Sequence, residues 1–185
     1  MGPKNRLMFV FGTRPEAIKM APRIEHAAQY DEVFERMVVV TAQHRDMLDQ
    51  VLKLFNIQPD YDLDIMEQAQ GLTTIMTKAM QGLEEILLRE KPDMLLVQGD
   101  TTTTFIASLM AYTYRVPIAH VEAGLRTFDK YRPYPEEMNR RMTTVLSDIH
   151  FAPTKRSVFN LLKEGVAPNT IFLTGNTVID ALLEV

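Results

Sequence analysis

The 185-residue chain is 46% hydrophobic and 24% charged, a globular balance with enough apolar mass for one well-buried domain. Its net charge of −4 offers no basic field for nucleic acid, and the absence of cysteine excludes disulfides, thiolate metal sites and thiol nucleophiles. The N-terminal apolar run, 7–11, is too short for a signal peptide or a membrane span, so the chain reads as a cytoplasmic soluble protein.

In chain order, LMFVFG (7–12) is the first expected strand and 15–29 the first expected helix. Pro15 suits that helix's first turn, where a missing N–H costs nothing, and Pro22 should kink the helix or reset its start. RMVVVTA (36–42) reads as a strand and 45–55 as a helix, followed by a loop over 56–65 with room for a short edge strand. A helix over 73–90 leads to the strand DMLLVQG (93–99), and a helix over 103–114 leads to VPIAHV (116–121). A long aromatic, proline-bearing loop, RTFDKYRPYP (126–135 with the first helical residue), precedes a helix over 135–147. The strands IHFAP (149–153) and IFLTG (171–175) follow, each with a helix after it, over 154–164 and 177–184. The last helix takes Asn176 or Thr177 as its cap but has no closing glycine or polar turn, the pattern of a chain cut mid-helix.

The strand runs are continuous rather than alternating, as strands buried on both faces should be. Strand–helix alternation then predicts one α/β domain over 1–185, a Rossmann-like parallel sheet with helices on both faces. In such a sheet, ligands bind beyond the carboxyl ends of the strands. Those ends read GTRPEAIK, AQHRD, GDTTTT, EAGLR and GNT, a set of small, polar and charged segments expected along one edge. The hydroxyls of Thr101–Thr104 can cap a helix starting near Thr103, whose N–H groups suit an anion.

The carboxylates are the chemical candidates. Asp100 and Glu122 lie just past strand ends, and Glu136 and Glu137 open the helix after the long loop. On that helix Met138, Met142, Val145 and Leu146 form the expected core face, with Glu136, Arg140 and Thr143 opposite. Glu136 and Arg140 then fit, first, a plain exposed i, i+4 pair and, second, a site in which neighbouring carboxylates divide acid and base roles. Arg14, Lys19, Arg126, Arg132, Arg140 and Arg141 are interleaved with them, a mixture suited to a phosphate-bearing substrate that also undergoes proton transfer. Lys19 is equally placed as an i, i+3 partner of Glu16.

Several motifs are absent. The eight glycines include no G-x-G and no GxxxxGK, so no dinucleotide fingerprint or P-loop is expected. The H-x-E of His120 and Glu122 lacks the cysteines of a zinc deaminase, and the four histidines show no zincin spacing, so no metal is expected. His150, inside a strand, reads as a buried histidine.

FGTRPEAIKMAP, TAQHRDMLDQVLKLF, GDTTTT, HVEAGLRT, YPEEMNR and TGNTVIDAL together resemble the non-hydrolysing bacterial UDP-N-acetylglucosamine 2-epimerases, in order and over essentially the whole chain. The resemblance implies interconversion of UDP-GlcNAc and UDP-ManNAc for cell-surface polysaccharide precursors. UDP leaves through 2-acetamidoglucal and is added back, with no nicotinamide or metal cofactor. It implies the N-terminal half of a glycosyltransferase-B-type two-domain fold, the C-terminal domain being absent, in a protein that is usually a homodimer. Carried over residue by residue, the catalytic carboxylates are Asp100, Glu122 and Glu136, and the substrate-binding basic residues are Arg14, Lys19 and Arg140. Gln43 and His44 match a site for an activating second UDP-GlcNAc, although Asp46 and Ala69 depart from that pattern, as Gln98 and Arg132 depart from the usual histidine and serine.

The missing half implies that this chain alone is inactive or nearly so. Two other classes compete: a nucleotide-sugar glycosyltransferase of the same fold, and a non-catalytic sugar-nucleotide-binding or dimerisation module. Loss of C2 proton exchange on changing Glu122 or Glu136 separates the epimerase from a transferase, and binding without turnover marks the module.

Overall fold

A computed structural model describes residues 3–42, 45–65 and 71–183. The expected alternation is realised as strands β1 (Asn5–Phe11), β2 (Phe34–Val40), β3 (Tyr61–Asp62), β4 (Met94–Gln98), β5 (Ile118–Val121), β6 (Ile149–Ala152) and β7 (Ile171–Leu173). Between and after them run helices α1 (Arg14–Ala28), α2 (Arg45–Leu54), α3 (Leu72–Glu90), α4 (Thr102–Thr113), α5 (Glu136–Leu146), α6 (Lys155–Lys163) and α7 (Val178–Leu183). All seven strands join one sheet in the order β3-β2-β1-β4-β5-β6-β7, and every pairing is parallel. The edge strand allowed for in 56–65 is the two-residue β3, paired to Val39 and Val40.

The continuous apolar runs are explained by burial on both faces. Met8 and Val10 enter one core with Leu95, Val97, Leu83 and Ile106, while Phe9 and Phe11 enter the other with Met20, Ile24 and Leu96. Consecutive strand residues thus feed opposite cores, the first beneath α3 and α4 and the second beneath α1 and α2. Each fully buried side chain of this size contributes about 1.5–3 kcal/mol over leaving it exposed. α1 runs through Pro22 without interruption, so the proline does not reset its start; Pro15 sits in the first turn as expected.

The strand order proceeds outwards in both directions from the β1–β4 pair. The loops after β1 and β4 therefore diverge to opposite sides and leave a crevice at the carboxyl edge. Among the described residues, no helix is long and apolar enough to cross a membrane.

α5 overturns the expectation for its buried face. Val145 is 85% exposed, Met138 and Met142 are half-buried, and of the expected four only Leu146 packs against a core cluster. Buried instead are Glu137, Asn139, Arg140, Thr143 and Thr144. The helix turns its polar side inwards because most of that side is paired there, the Thr143 hydroxyl excepted. Glu137 and Arg140 bond each other, Asn139 Nδ2 donates to the Asp100 carbonyl at 3.1 Å, and Thr144 accepts from Arg126 at 2.9 Å. Buried polar groups persist where such partners exist.

Candidate functional site at the carboxyl edge of the sheet

The turn after β1 is closed by a side chain that its sequence position half announces. Thr13-x-x-Glu16 has capping-box spacing. Glu16 Oε2 accepts from the backbone N–H of Gly12 at 2.9 Å and of Thr13 at 2.7 Å. Its Oε1 accepts from the Thr101 hydroxyl at 2.6 Å, with the Thr104 hydroxyl 3.0 Å away. Glu16 is 2% exposed and is not the partner of Lys19. Arg14, one residue beyond the turn, is exposed.

The four threonines after β4 divide their work. Thr101 is the N-cap of α4, its Oγ1 accepting from Thr104 N at 3.1 Å, so the helix begins one residue earlier than expected. Thr103 pairs with Thr41 at 2.9 Å, and the Thr104 hydroxyl donates to the Gln98 carbonyl at 2.6 Å. Thr102–Thr104 are all buried, so this run serves mainly to lock the turn rather than to offer hydroxyls to solvent. Gly99 takes φ +77° at the exit of β4, a conformation that glycine adopts without strain.

That turn delivers Asp100 into the crevice. Arg140 Nη1 reaches its Oδ2 at 3.1 Å, while Arg140 Nη2 lies 2.6 Å from Glu137 Oε2. The expected Glu136–Arg140 pair is replaced by this bridge, in which one guanidinium serves two other carboxylates. Burial pushes the Asp100 carboxyl above its usual range; Arg140 opposes the shift, and the neighbouring charges of Glu136, Glu122 and Glu16 add to it. Glu137, fully buried, behaves oppositely. Burial pushes its carboxyl up, but the N–H groups of Thr127 and Phe128, each at 3.0 Å, and Arg140 outweigh burial and hold it below its usual range.

Glu122 follows β5 with φ +65°, a left-handed conformation that costs a non-glycine residue about 1–2 kcal/mol. Its side chain is heavily engaged. Lys19 Nζ lies 2.6 Å from Oε2, the Gln98 carboxamide donates to the same oxygen, and Asn176 Nδ2 donates to Oε1 at 2.9 Å. Three further strand exits therefore hold one carboxylate: α1 after β1, the end of β4, and the segment after β7. His120, one turn of strand earlier, is buried with Nε2 2.7 Å from the Gly99 carbonyl; burial lowers its pKa to about 3. The imidazole is thus neutral and donates its Nε2–H to that carbonyl. His150 is buried in β6 as expected, with Nε2 3.1 Å from the Thr144 carbonyl.

Glu136 opens α5, and its Oε2 is buried without a protein partner. An unpaired buried acceptor is expensive unless something else supplies a donor. The structure therefore brings Asp100, Glu122, Glu136, Lys19 and Arg140 together at this edge, with Arg14 exposed at the start of α1. Gln43 and His44 lie outside the described residues. Arg126 is drawn away: its guanidinium holds Glu164 through two 2.8 Å bonds and has no exposed side-chain surface. Arg132 is 87% exposed and 3.9 Å from Asp129.

Sequence reasoning placed Glu16 and Asn176 in segments of this edge without giving either a role at the site, noted Gln98 only as a departure from the family's histidine, and gave Asn139 no role. The capping-box spacing could have found Glu16. The others are single polar residues whose partners are distant in sequence. A separate cavity of about 610 Å³ opens between α1 and α7, with Leu7, Phe9, Phe151 and Asp180 in its wall, and is lined by none of Asp100, Glu122 and Glu136.

Comparison with known proteins gives a consistent result. The profile of the family described as UDP-N-acetylglucosamine 2-epimerase matches residues 26–185. The UDP-N-acetylglucosamine 2-epimerase of Escherichia coli (strain K12) is 61% identical over 178 residues, covering 96% of this chain and 47% of its own length. The crystal structure of the UDP-GlcNAc 2-epimerase from Neisseria meningitidis bound to UDP-GlcNAc superposes with a TM-score of 0.92 at 54% identity, over 97% of this chain and 49% of that one. A lipopolysaccharide outer-core galactosyltransferase shares the fold alone, with a TM-score of 0.64 at 12% identity over 92% of this chain and 45% of that one. The chain spans about half the length of the curated relatives it matches.

Proposed function

This chain belongs to the UDP-N-acetylglucosamine 2-epimerase family, and from that premise we propose that its carboxyl-edge crevice is the sugar half of a site interconverting UDP-GlcNAc and UDP-ManNAc. The observation that carries the reading is Asp100, a carboxylate whose proton affinity is raised by burial at the β1–β4 switch point, beside Glu122 and Glu136. Epimerisation at C2 by elimination needs that arrangement. A carboxylate takes the C2 proton, the C1–O bond breaks with its electron pair leaving on UDP, and 2-acetamidoglucal remains. Re-addition of UDP and return of a proton on the opposite face complete the inversion.

Asp100 suits proton transfer because its shift moves it towards the working range of an acid–base group. The unpartnered Oε2 of Glu136 suits a donor on the sugar. Glu122, held by Lys19, Gln98 and Asn176, suits a fixed charge beside the ring. Arg14, exposed at the start of α1, and Arg140 and Lys19 beside the carboxylates suit the departing diphosphate or its approach. A second domain, closing over this edge, completes the UDP site in a homodimeric cytoplasmic enzyme, and the 185 residues alone turn over slowly or not at all.

The test is proton NMR of UDP-GlcNAc in D2O with the full-length polypeptide and, beside it, the 185-residue chain. Deuterium at C2 and a new ManNAc anomeric signal from the full-length polypeptide are expected, with silence from the shorter chain. A full-length polypeptide that is folded and binds the sugar nucleotide yet exchanges no C2 proton would point to a transferase or a binding module instead.

A further inference from the structure

Glu16 ties together two loops that the chain supplies 85 residues apart, the distance in sequence between Glu16 and Thr101. Its three donors are all neutral: two backbone N–H groups from the β1–α1 turn and the Thr101 hydroxyl from the β4–α4 turn, with the Thr104 hydroxyl oxygen 3.0 Å away. At 2% exposure the carboxylate is screened little by water, and no cation is among those donors. Its charge therefore reaches beyond its own bonds. The N–H groups of Gly12 and Thr13, at the entrance to α1, are thus engaged by Glu16.

We propose that Glu16 is a positioning residue of this site, coupling the turn that carries Arg14 to the turn that carries Asp100 and setting the electrostatic background in which Asp100 works. The inference rests on the reading of Asp100 as an acid–base group. It goes further in assigning a role to a buried carboxylate that touches no substrate. Two consequences follow. Loosening one turn must loosen the other, because bonds from both turns converge on one carboxylate. Removing the charge must also lower the proton affinity of Asp100. The groups facing Asp100 are Arg140 and Glu136 on α5, Glu122 after β5 and Glu16 on α1, and of these Glu16 can be neutralised without changing a residue in the crevice.

The experiment uses the 185-residue chain itself and needs no turnover, so its failure is separable from failure of the epimerase reading. Carboxyl carbon NMR follows the titration of Asp100 in the unaltered chain and in Glu16→Gln. Amide hydrogen exchange follows Gly12 and Thr13 in Thr101→Val, which leaves Glu16 in place but removes its 2.6 Å donor. In Glu16→Gln the Asp100 midpoint should fall by roughly a few tenths of a pH unit. In Thr101→Val the Gly12 and Thr13 amides should exchange about tenfold faster, the scale of one hydrogen bond to a charged acceptor. A purely structural role predicts lower melting temperatures with the Asp100 midpoint and both amides unmoved, and that result overturns the proposal. Should Glu16→Gln fail to fold, Thr101→Val decides alone: unchanged amide exchange at Gly12 and Thr13 refutes the coupling.

Discussion

The two edges of the sheet use the same residue type in opposite ways. At the entry edge, the aspartates immediately before β3, β4 and β6 each take one backbone N–H of a neighbouring strand. Asp60 accepts from Val38 at 2.7 Å, Asp93 from Arg6 at 2.7 Å, and Asp148 from Ile118 at 2.8 Å. At the exit edge, Asp100, Glu122 and Glu136 crowd together; Asp100 holds Arg140, Glu122 holds Lys19, and Glu136 leaves one oxygen without a partner. The entry carboxylates finish backbone pairing. The exit carboxylates stand in one another's fields, which is a cost unless the site uses it.

Within the exit edge the contrast repeats between Asp100 and Glu137, and the largest expected effects separate them. Asp100→Asn should lower C2 proton exchange in the full-length polypeptide by about 10²–10⁴-fold, the scale of one acid–base group. It should leave the melting temperature of the 185-residue chain unchanged or raised, because Arg140 keeps Glu137. Glu137→Gln should do the reverse in stability: breaking a buried pair and loosening two backbone N–H groups costs about 3–5 kcal/mol, measurable by urea unfolding. Equal stability losses in the two variants would erase the distinction.

The entry edge sharpens the comparison at a smaller scale. Asp148→Ala should cost about 1–3 kcal/mol by leaving the Ile118 N–H unpaired, without altering sugar-nucleotide binding. The pH dependence should carry both signs. Glu137, held below its usual 4.5, contributes stability that is present above that value and is lost as pH falls through its folded value. Asp100, raised above 3.8, contributes the opposite slope, with stability falling as pH rises from 3.8 through its folded value. Glu137→Gln should therefore flatten the acid limb of a stability–pH curve, whereas Asp100→Asn removes the decline on the other side. Smallest of all, Arg132→Ala should change stability by no more than about 0.5 kcal/mol in thermal melts, since its one ion pair is exposed and long.

The strands, their parallel pairing and the edge where polar residues gather were legible because period, length and turn chemistry agree along the whole chain. α5 was not. Apolar spacing alone assigns Met138, Met142 and Val145 to the core, but the buried face is chosen by partners that arrive from the turn after β4 and the loop after β5. Glu136 and Glu137 are adjacent and chemically alike in the sequence; a rotation of one helical residue sends the second into full burial with four donor groups and leaves the first with a buried, unpartnered oxygen. Glu16 shows the converse. Its capping-box spacing was present in the sequence, but its reach to Thr101 depends on β1 and β4 being neighbours, a fact of topology rather than of local pattern.

The most direct measurement is a carboxyl carbon NMR titration of the unaltered 185-residue chain that resolves Asp100 and Glu137 together. The account predicts an Asp100 midpoint above 3.8 and a Glu137 midpoint below 4.5. An Asp100 midpoint at or below 3.8 would show that the exit edge holds an ordinary paired carboxylate, and would contradict the claim that this edge is built for proton transfer.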